Sequence, residues 1–172
     1  FLVPFIPLFV ANTLFFPYIT GKAFAFRIIV EILLALWLVL VYLDPNARPK
    51  RSAILWAFLG LITVTILATI FGVDPYRSFW SNFERMDGLV SYLHLAGYFL
   101  LLIANFRSEK LWRRWWFTTL GVSVIVVFSA LVEFGQIAPG ASARLATSFG
   151  NPIYLAVYLL VHMFIAAWFF IL

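Results

Sequence analysis

Five basic side chains give this sequence its clearest potential for binding chemistry, because they can hold an anion. Arginine presents a planar fork of donors that suits phosphate oxygens, whereas lysine presents a compact charge. Arg77, Arg85 and Arg144 are predicted to bind a phosphate or pyrophosphate group. Lys22 and Arg27 are secondary candidates for the same role. The alternative is that these cations are solvated or paired with nearby carboxylates, as most interfacial arginines are.

A second anion-binding feature is predicted in the sequence Ser148-Phe149-Gly150-Asn151-Pro152. Asparagine is a favoured N-cap, proline is favoured in the first helical turn, and glycine allows a tight turn before them. A helix is therefore predicted to begin at Asn151, with its free N–H groups available to an anion. Gly150 and Asn151 join the predicted substrate-binding residues, although the same pattern also fits an ordinary capped helix.

The segment 76–85 is too polar to cross a membrane and is predicted to form a short amphipathic helix at the membrane surface. Its aromatic residues recur with the spacing of one helix face, and they are Tyr76, Phe79, Trp80 and Phe83. The opposite face carries Arg77, Ser81, Glu84 and Arg85. The predicted helix would therefore hold its two arginines on the solvent side of the membrane interface.

Polar stripes with helical spacing run inward along two apolar stretches. One stripe consists of Asp87, Ser91, His94 and Tyr98, and the other consists of Asn151, Tyr154, Tyr158 and His162. Such faces indicate a bundle interior or a wet cavity, or they pack the helices through hydrogen bonds. Arg27 and Glu31 are four residues apart, and this spacing predicts an ion pair along one helix.

Several kinds of site are not predicted. Two histidines and no cysteine do not form a metal-ligand pattern, so no metal and no cofactor is expected. The sequence has neither GxxxxGK[ST] nor GxGxxG, which argues against nucleotide-driven chemistry. No serine-based or cysteine-based nucleophile arrangement is present either.

Composition defines the class of protein that must position these residues. Of the 172 residues, 65% are hydrophobic and only 11% are charged, whereas soluble domains average about 25% charged residues. The predicted fold is all-α, a polytopic helical membrane protein with about six transmembrane helices of about 20 residues each. The predicted spans, which form one helical bundle, are 1–19, 24–43, 53–72, 88–105, 115–135 and 152–172.

Orientation follows from the distribution of lysine and arginine. The loops 44–52 and 106–114 hold seven of the 12 basic residues, and the opposite side holds five. This bias places the two loops and both ends of the chain in the cytoplasm. The net charge of +5 is thereby explained by topology and by contact with membrane lipids, so no nucleic-acid partner is predicted. Because both ends lie in apolar runs, the chain is expected to be part of a longer protein.

Two stretches carry a family resemblance. The sequence GVDPYRSFWSNFERMDGL resembles a loop of the bacterial O-antigen ligase and O-antigen polymerase superfamily, and ATSFGNPIYLAVYLL resembles that family's Phe-Gly-Asn-Pro signature. Ile153 stands where the family often has asparagine. The segment 19–22 and the pair Phe26-Arg27 are also similar to members of this group.

The resemblance implies a membrane glycosyltransferase with a GT-C-like fold in the bacterial inner membrane. Such an enzyme takes part in lipopolysaccharide biosynthesis and cell-envelope assembly. It transfers an O-antigen-like glycan from undecaprenyl pyrophosphate to lipid A-core, a glycan or a protein on the periplasmic side, without a metal ion. In this family periplasmic arginines are expected to hold the pyrophosphate, and the expected catalytic base, a histidine, lies in a large periplasmic loop beyond Leu172. This part of the protein is therefore expected to be inactive alone.

Two other functions remain open. A multi-pass transporter or flippase-like protein would use the polar stripes as a translocation path and Glu31 as a proton site. No convincing internal repeat supports this alternative in the sequence. A non-catalytic membrane scaffold would not require cations on the outer side.

Overall fold

The computed structural model describes residues 1–82, 85–137 and 144–171. The chain divides into two compact units, of which unit 1 comprises 1–22 with 109–172 and unit 2 comprises 23–108. Within the described residues the secondary structure is entirely helical. The α-helices are α1 (Thr20–Leu43), α2 (Ala53–Ile70), α3 (Pro75–Trp80), α4 (Leu89–Asn105), α5 (Glu109–Gly135) and α6 (Pro152–Ile171).

Four of these helices, α1, α2, α5 and α6, are long and apolar enough to cross a membrane. Helix α4 is also apolar but has only 17 residues. The chain is therefore a helical membrane protein, as the composition predicted. The predicted and observed bounds agree within a few residues for most of these helices. Helix α5 begins six residues before the predicted residue 115, because its polar first turns extend beyond the apolar core of the span.

The predicted span over 1–19 is wrong. Residues 1–19, all of which the structure describes, contain a 3-10 helix at Val3–Leu8 followed by turns, and no α-helix. The Ala11 backbone N–H donates to the Pro17 carbonyl oxygen at 3.1 Å, so the chain doubles back on itself. Prolines at positions 4, 7 and 17 explain this difference, since each lacks the N–H that an α-helix needs and disfavours helical backbone before it.

The predicted amphipathic helix over 76–85 is wrong beyond Trp80. Helix α3 ends there because Ser81 adopts φ 62°, a left-handed conformation that stops a right-handed helix. Phe83 and Glu84 lie outside the described residues. Arg85 lies in a turn, where its backbone N–H donates to the Asn82 carbonyl oxygen at 3.2 Å. The face predicted to carry both arginines is therefore not a continuous helix face.

In unit 2, α1 and α4 run in the same direction and meet through successive pairs of residues. The residue numbers of the contacting pairs rise together along both helices. The pairs are Arg27 with Ser91, Glu31 with His94, and Leu34 with Gly97. At the carboxyl end of α4, the Arg107 guanidinium donates to the carbonyl oxygens of Asn46 and Arg48. These contacts tie the α1–α2 loop to the end of α4.

In unit 1, the buried residues Val126, Ala130 and Leu155 form a small core between α5 and α6. Leu8 of the 3-10 helix Val3–Leu8 packs against this core, as does Phe149. The amino-terminal segment therefore covers the region where α6 begins.

Helix α3 approaches the start of α4 closely enough to require a glycine. A Cβ atom at Gly88 would overlap the carbonyl groups of Phe79 and Ser78, and backbone atoms cannot rotate away as a side chain can. By contrast, a Cβ atom at Gly60 on α2 would meet no described atom within 4 Å.

We expect Gly88→Ala to destabilise the protein by about 1–3 kcal/mol, the usual cost of overpacking. Gly60→Ala is the matched control and should be neutral or stabilising, because alanine favours helix. Thermal unfolding of both variants in detergent measures the difference. Equal unfolding temperatures would show that the α3–α4 approach is not a tight contact.

Candidate anion-binding site before helix α6

The loop that leads into α6 turns sharply at a glycine. A 3-10 helix at Thr147–Phe149 is followed by Gly150, which adopts φ 65° and ψ 0°. A Cβ atom at this position would overlap the ring of Tyr18. Both the backbone conformation and the close approach therefore require glycine. The predicted tight turn before the helix is confirmed.

Asn151 caps helix α6 as the sequence indicated. Its side-chain oxygen accepts from the Ile153 backbone N–H at 2.8 Å, and its carbonyl oxygen accepts from the Leu155 N–H at 3.2 Å. Pro152 is the first residue of the helix. The asparagine side chain thus satisfies one of the N–H groups that an uncapped helix would leave open.

Glu133 at the end of α5 holds the beginning of the same loop. Its two carboxylate oxygens accept from the backbone N–H groups of Thr147 at 2.8 Å and Ala146 at 3.2 Å. Hydrogen bonds from backbone groups to an ionised carboxylate are stronger than neutral ones. Glu133 therefore fixes the beginning of the loop.

Lys22 is the cation that the structure places against this loop. Its Nζ donates to the carbonyl oxygen of Ser148 and lies 4.9 Å from the centre of the Phe149 ring. The Ser148 hydroxyl in turn donates to the Pro7 carbonyl oxygen at 2.7 Å. Lys22 is half-buried, and no carboxylate pairs with it among the described residues. The ammonium group has three donor hydrogens, so it retains capacity for an anion.

Arg144 lies two residues before Ala146 and is exposed. Within the described ranges its guanidinium has no hydrogen-bond or ion-pair partner. Unit 1 therefore contains four of the predicted binding residues in or against one short loop, namely Lys22, Arg144, Gly150 and Asn151.

The other three candidates, Arg27, Arg77 and Arg85, belong to unit 2. Arg77 and Arg85 are exposed, and their predicted role in binding a phosphate or pyrophosphate group stays a prediction. Arg27 is only 8% exposed, and its guanidinium donates to the Met86 carbonyl oxygen at 2.7 Å and the Ser91 hydroxyl at 3.0 Å. The predicted Arg27–Glu31 pair is wrong, because each residue instead bonds to the α4 side of the unit. Arg27 therefore holds the segment before α4 in place.

The arrangement in unit 1 offers electrostatic binding rather than bond-making chemistry. The half-buried ammonium group of Lys22 lies against a loop that carries the exposed guanidinium of Arg144, and Glu133, Gly150 and Asn151 set the shape of this loop. Among the described residues, no group of three histidine, aspartate or glutamate side chains is placed to hold a metal ion.

The fold and this site define the class of protein: an apolar helical membrane protein with a cation-bearing loop before one of its spans. Comparisons of the chain with models of protein families, with curated proteins and with solved structures found no match.

The role of Glu133 can be tested through the amides that it holds. We expect Glu133→Ala to increase hydrogen exchange at Ala146 and Thr147 by about tenfold or more, since each bond to a charged group contributes about 1.5–3 kcal/mol. Hydrogen exchange followed by mass spectrometry measures this change. Glu109→Ala, which removes an exposed carboxylate at the start of α5, is the control. Unchanged exchange in the Glu133 variant would mean that other contacts fix the loop.

Proposed function

We propose that this protein acts in the transfer of an O-antigen-like glycan from undecaprenyl pyrophosphate to a lipid, glycan or protein acceptor, as a metal-independent membrane glycosyltransferase. The observation that carries the proposal is Lys22, an ammonium group without a carboxylate partner in the described residues, held against the loop before α6. This loop and the α3 region resemble the O-antigen ligase superfamily, and the proposal that the ligand is undecaprenyl pyrophosphate rests on that resemblance.

Transfer of a glycan from a pyrophosphate releases a leaving group with additional negative charge. Fixed cations can stabilise that charge without reorganising during the reaction, and one such contact is worth about 10²–10³ in rate. Lys22 suits this role because Ser148 and Phe149 fix its position while leaving donor hydrogens. Arg144 adds a guanidinium, whose planar fork can bind two phosphate oxygens.

The structure changes the ranking of the candidate residues. Arg27 already donates to Met86 and Ser91, so the proposal assigns it to the fold rather than to the ligand. Lys22 moves from a secondary to a primary candidate. Gly150 and Asn151 shape the loop through backbone conformation and capping, and they do not themselves contact the pyrophosphate. Arg77 and Arg85 remain proposed contacts from unit 2.

The proposed orientation has the loop before α6 on the periplasmic side of a bacterial inner membrane. The basic loops 44–52 and 106–114 then face the cytoplasm, as the bias of lysine and arginine favours. A cytoplasmic amino terminus required residues 1–19 to cross the membrane. Because this described segment contains no α-helix, we now propose that it stays on the periplasmic side with Lys22.

Orientation can be tested by single cysteines, because the chain has none of its own. Val73→Cys and Phe15→Cys, both at highly exposed positions, should react with a membrane-impermeant thiol reagent in intact spheroplasts. Lys50→Cys should react only after the membrane is opened. Labelling of Lys50→Cys in intact spheroplasts would reverse the orientation. Labelling of Val73→Cys without Phe15→Cys would return the amino terminus to the cytoplasm.

Ligand binding can be tested separately from glycan transfer. In nanodiscs of neutral lipid, the protein should bind undecaprenyl pyrophosphate more tightly than undecaprenol. Lys22→Ala and Arg144→Ala should each weaken pyrophosphate binding by about tenfold or more, the effect of one lost charged hydrogen bond. Arg144→Lys should be intermediate, because lysine keeps the charge without the planar fork. Native mass spectrometry of the complexes provides the measurement.

Lys50→Ala is the matched control, since it removes an exposed lysine from the loop on the opposite proposed side. Arg77→Ala and Arg85→Ala test the proposed contribution of unit 2. Equal affinity for the two lipids, or unchanged binding in all four alanine variants at positions 22, 77, 85 and 144, would exclude the anion site. Pyrophosphate binding without glycan transfer in the full-length protein would keep the site and reject the enzymatic activity.

A further inference from the structure

Glu31 and His94 form an ion-pair contact between α1 and α4. Glu31 lies at the midpoint of α1, and its carboxylate oxygen Oε1 is 3.0 Å from Nε2 of His94 on α4. Both residues belong to unit 2. An ionisable residue at the centre of a membrane span is costly and is usually functional.

The hydrogen bonds of His94 define which ring nitrogen carries a hydrogen. Its Nδ1 lies 2.7 Å from the Val90 carbonyl oxygen, which can only accept a hydrogen bond. Nδ1 therefore donates, and in the neutral imidazole Nε2 would carry only a lone pair. That lone pair would then face the oxygen of Glu31.

A lone pair and an ionised carboxylate at 3.0 Å cannot form a hydrogen bond, because neither supplies a hydrogen. One additional proton resolves the conflict. It lies either on Nε2, which gives imidazolium beside carboxylate, or on Glu31, whose hydroxyl then donates to neutral Nε2. In both cases the pair has zero net charge, which is the less costly state inside a span.

His162 in unit 1 provides an internal comparison. Its Nδ1 donates to the Tyr158 carbonyl oxygen at 2.7 Å, four residues earlier on the same helix, as in His94. Its Nε2, however, lies 2.9 Å from the Thr119 hydroxyl, which can donate to the lone pair. His162 is therefore satisfied as a neutral imidazole. The same local geometry requires an additional proton only where the partner is a carboxylate.

Among the described residues, Glu31 forms no ion pair with an arginine or a lysine. Arg27, one turn away on α1, already donates to Met86 and Ser91. Helix α2 contains no ionisable side chain. The remaining ionisable groups of α3, of α4 and of the described residues between them are Tyr76, Arg77, Arg85, Asp87, Tyr92 and Tyr98, and α1 also carries Lys22 and Tyr42.

We propose that Glu31 and His94 form a binding site for one exchangeable proton, and that the contact between them exists only in the proton-bound form. The proton comes from water and returns to water, and its loss changes the charge of the pair from zero to −1. Release of the proton leaves a carboxylate facing a lone pair, so the two side chains separate. This site is independent of the proposed anion site in unit 1.

The test is a pH titration of the whole chain in nanodiscs. The protein has two histidines, so ¹⁵N-labelled histidine gives the signals of two imidazole rings, and infrared difference spectra follow the Glu31 carboxyl group. We expect the His94 signals and the Glu31 carboxyl band to change at one common pH midpoint, with release of one proton. In Glu31→Gln the amide donates to Nε2 instead, and the proton release at that midpoint should be lost.

Thr119→Val is the matched control, because it removes the neutral partner of the other histidine. It should shift the His162 signals and leave the common transition of Glu31 and His94 unchanged. Two separate midpoints for Glu31 and His94 would overturn the proposal. An ionised Glu31 beside a neutral His94 at every pH at which the protein is folded would also overturn it. Both of these outcomes are read from the wild-type spectra and do not depend on the folding of a variant.

Discussion

Polar groups that enter an apolar helical protein must find partners within the chain, because lipid offers none. In each unit, contacts between residues far apart in the sequence meet this constraint at particular polar groups. In unit 2, Arg27 satisfies the carbonyl group of Met86 and the hydroxyl of Ser91. In unit 1, Glu133 satisfies two backbone N–H groups of the loop before α6. The candidate anion site lies at Lys22, an ammonium group that no carboxylate pairs with among the described residues. The proposed proton site lies at the contact between Glu31 and His94, which needs one additional proton.

Local signals in the sequence predicted the parts of the structure that local interactions determine. Continuous apolar runs located the long helices, and the Gly-Asn-Pro sequence located the start of α6, because conformation and capping depend on adjacent residues. The end of α3 was not predictable in this way, since neither proline nor glycine follows Trp80. The stop comes from the left-handed conformation of Ser81 and accompanies the close approach of Gly88 to Phe79.

For the candidate anion site, local sequence signals located the loop before α6 but not the contact between that loop and Lys22. Its loop has a recognisable sequence, but Lys22 reaches Ser148 across 126 residues, and no spacing rule connects positions so far apart. Hydropathy alone also misplaced residues 1–19, because it does not register that three prolines remove helical hydrogen bonds. The resulting non-helical segment supplies Pro7 and Tyr18 to the loop before α6.

The same-direction packing of α1 and α4 has a consequence for biosynthesis. Ser91 and His94 follow their α1 partners by 64 and 63 residues, so at about 5–20 residues per second they are synthesised several seconds after those partners. During that interval Arg27 and Glu31 are the only charged residues of the nascent α1 between Ala23 and Leu43, four positions apart. Their mutual attraction is available to the inserting helix. An ion pair between them would lower the cost of inserting α1 alone, although in the finished fold both side chains contact other partners.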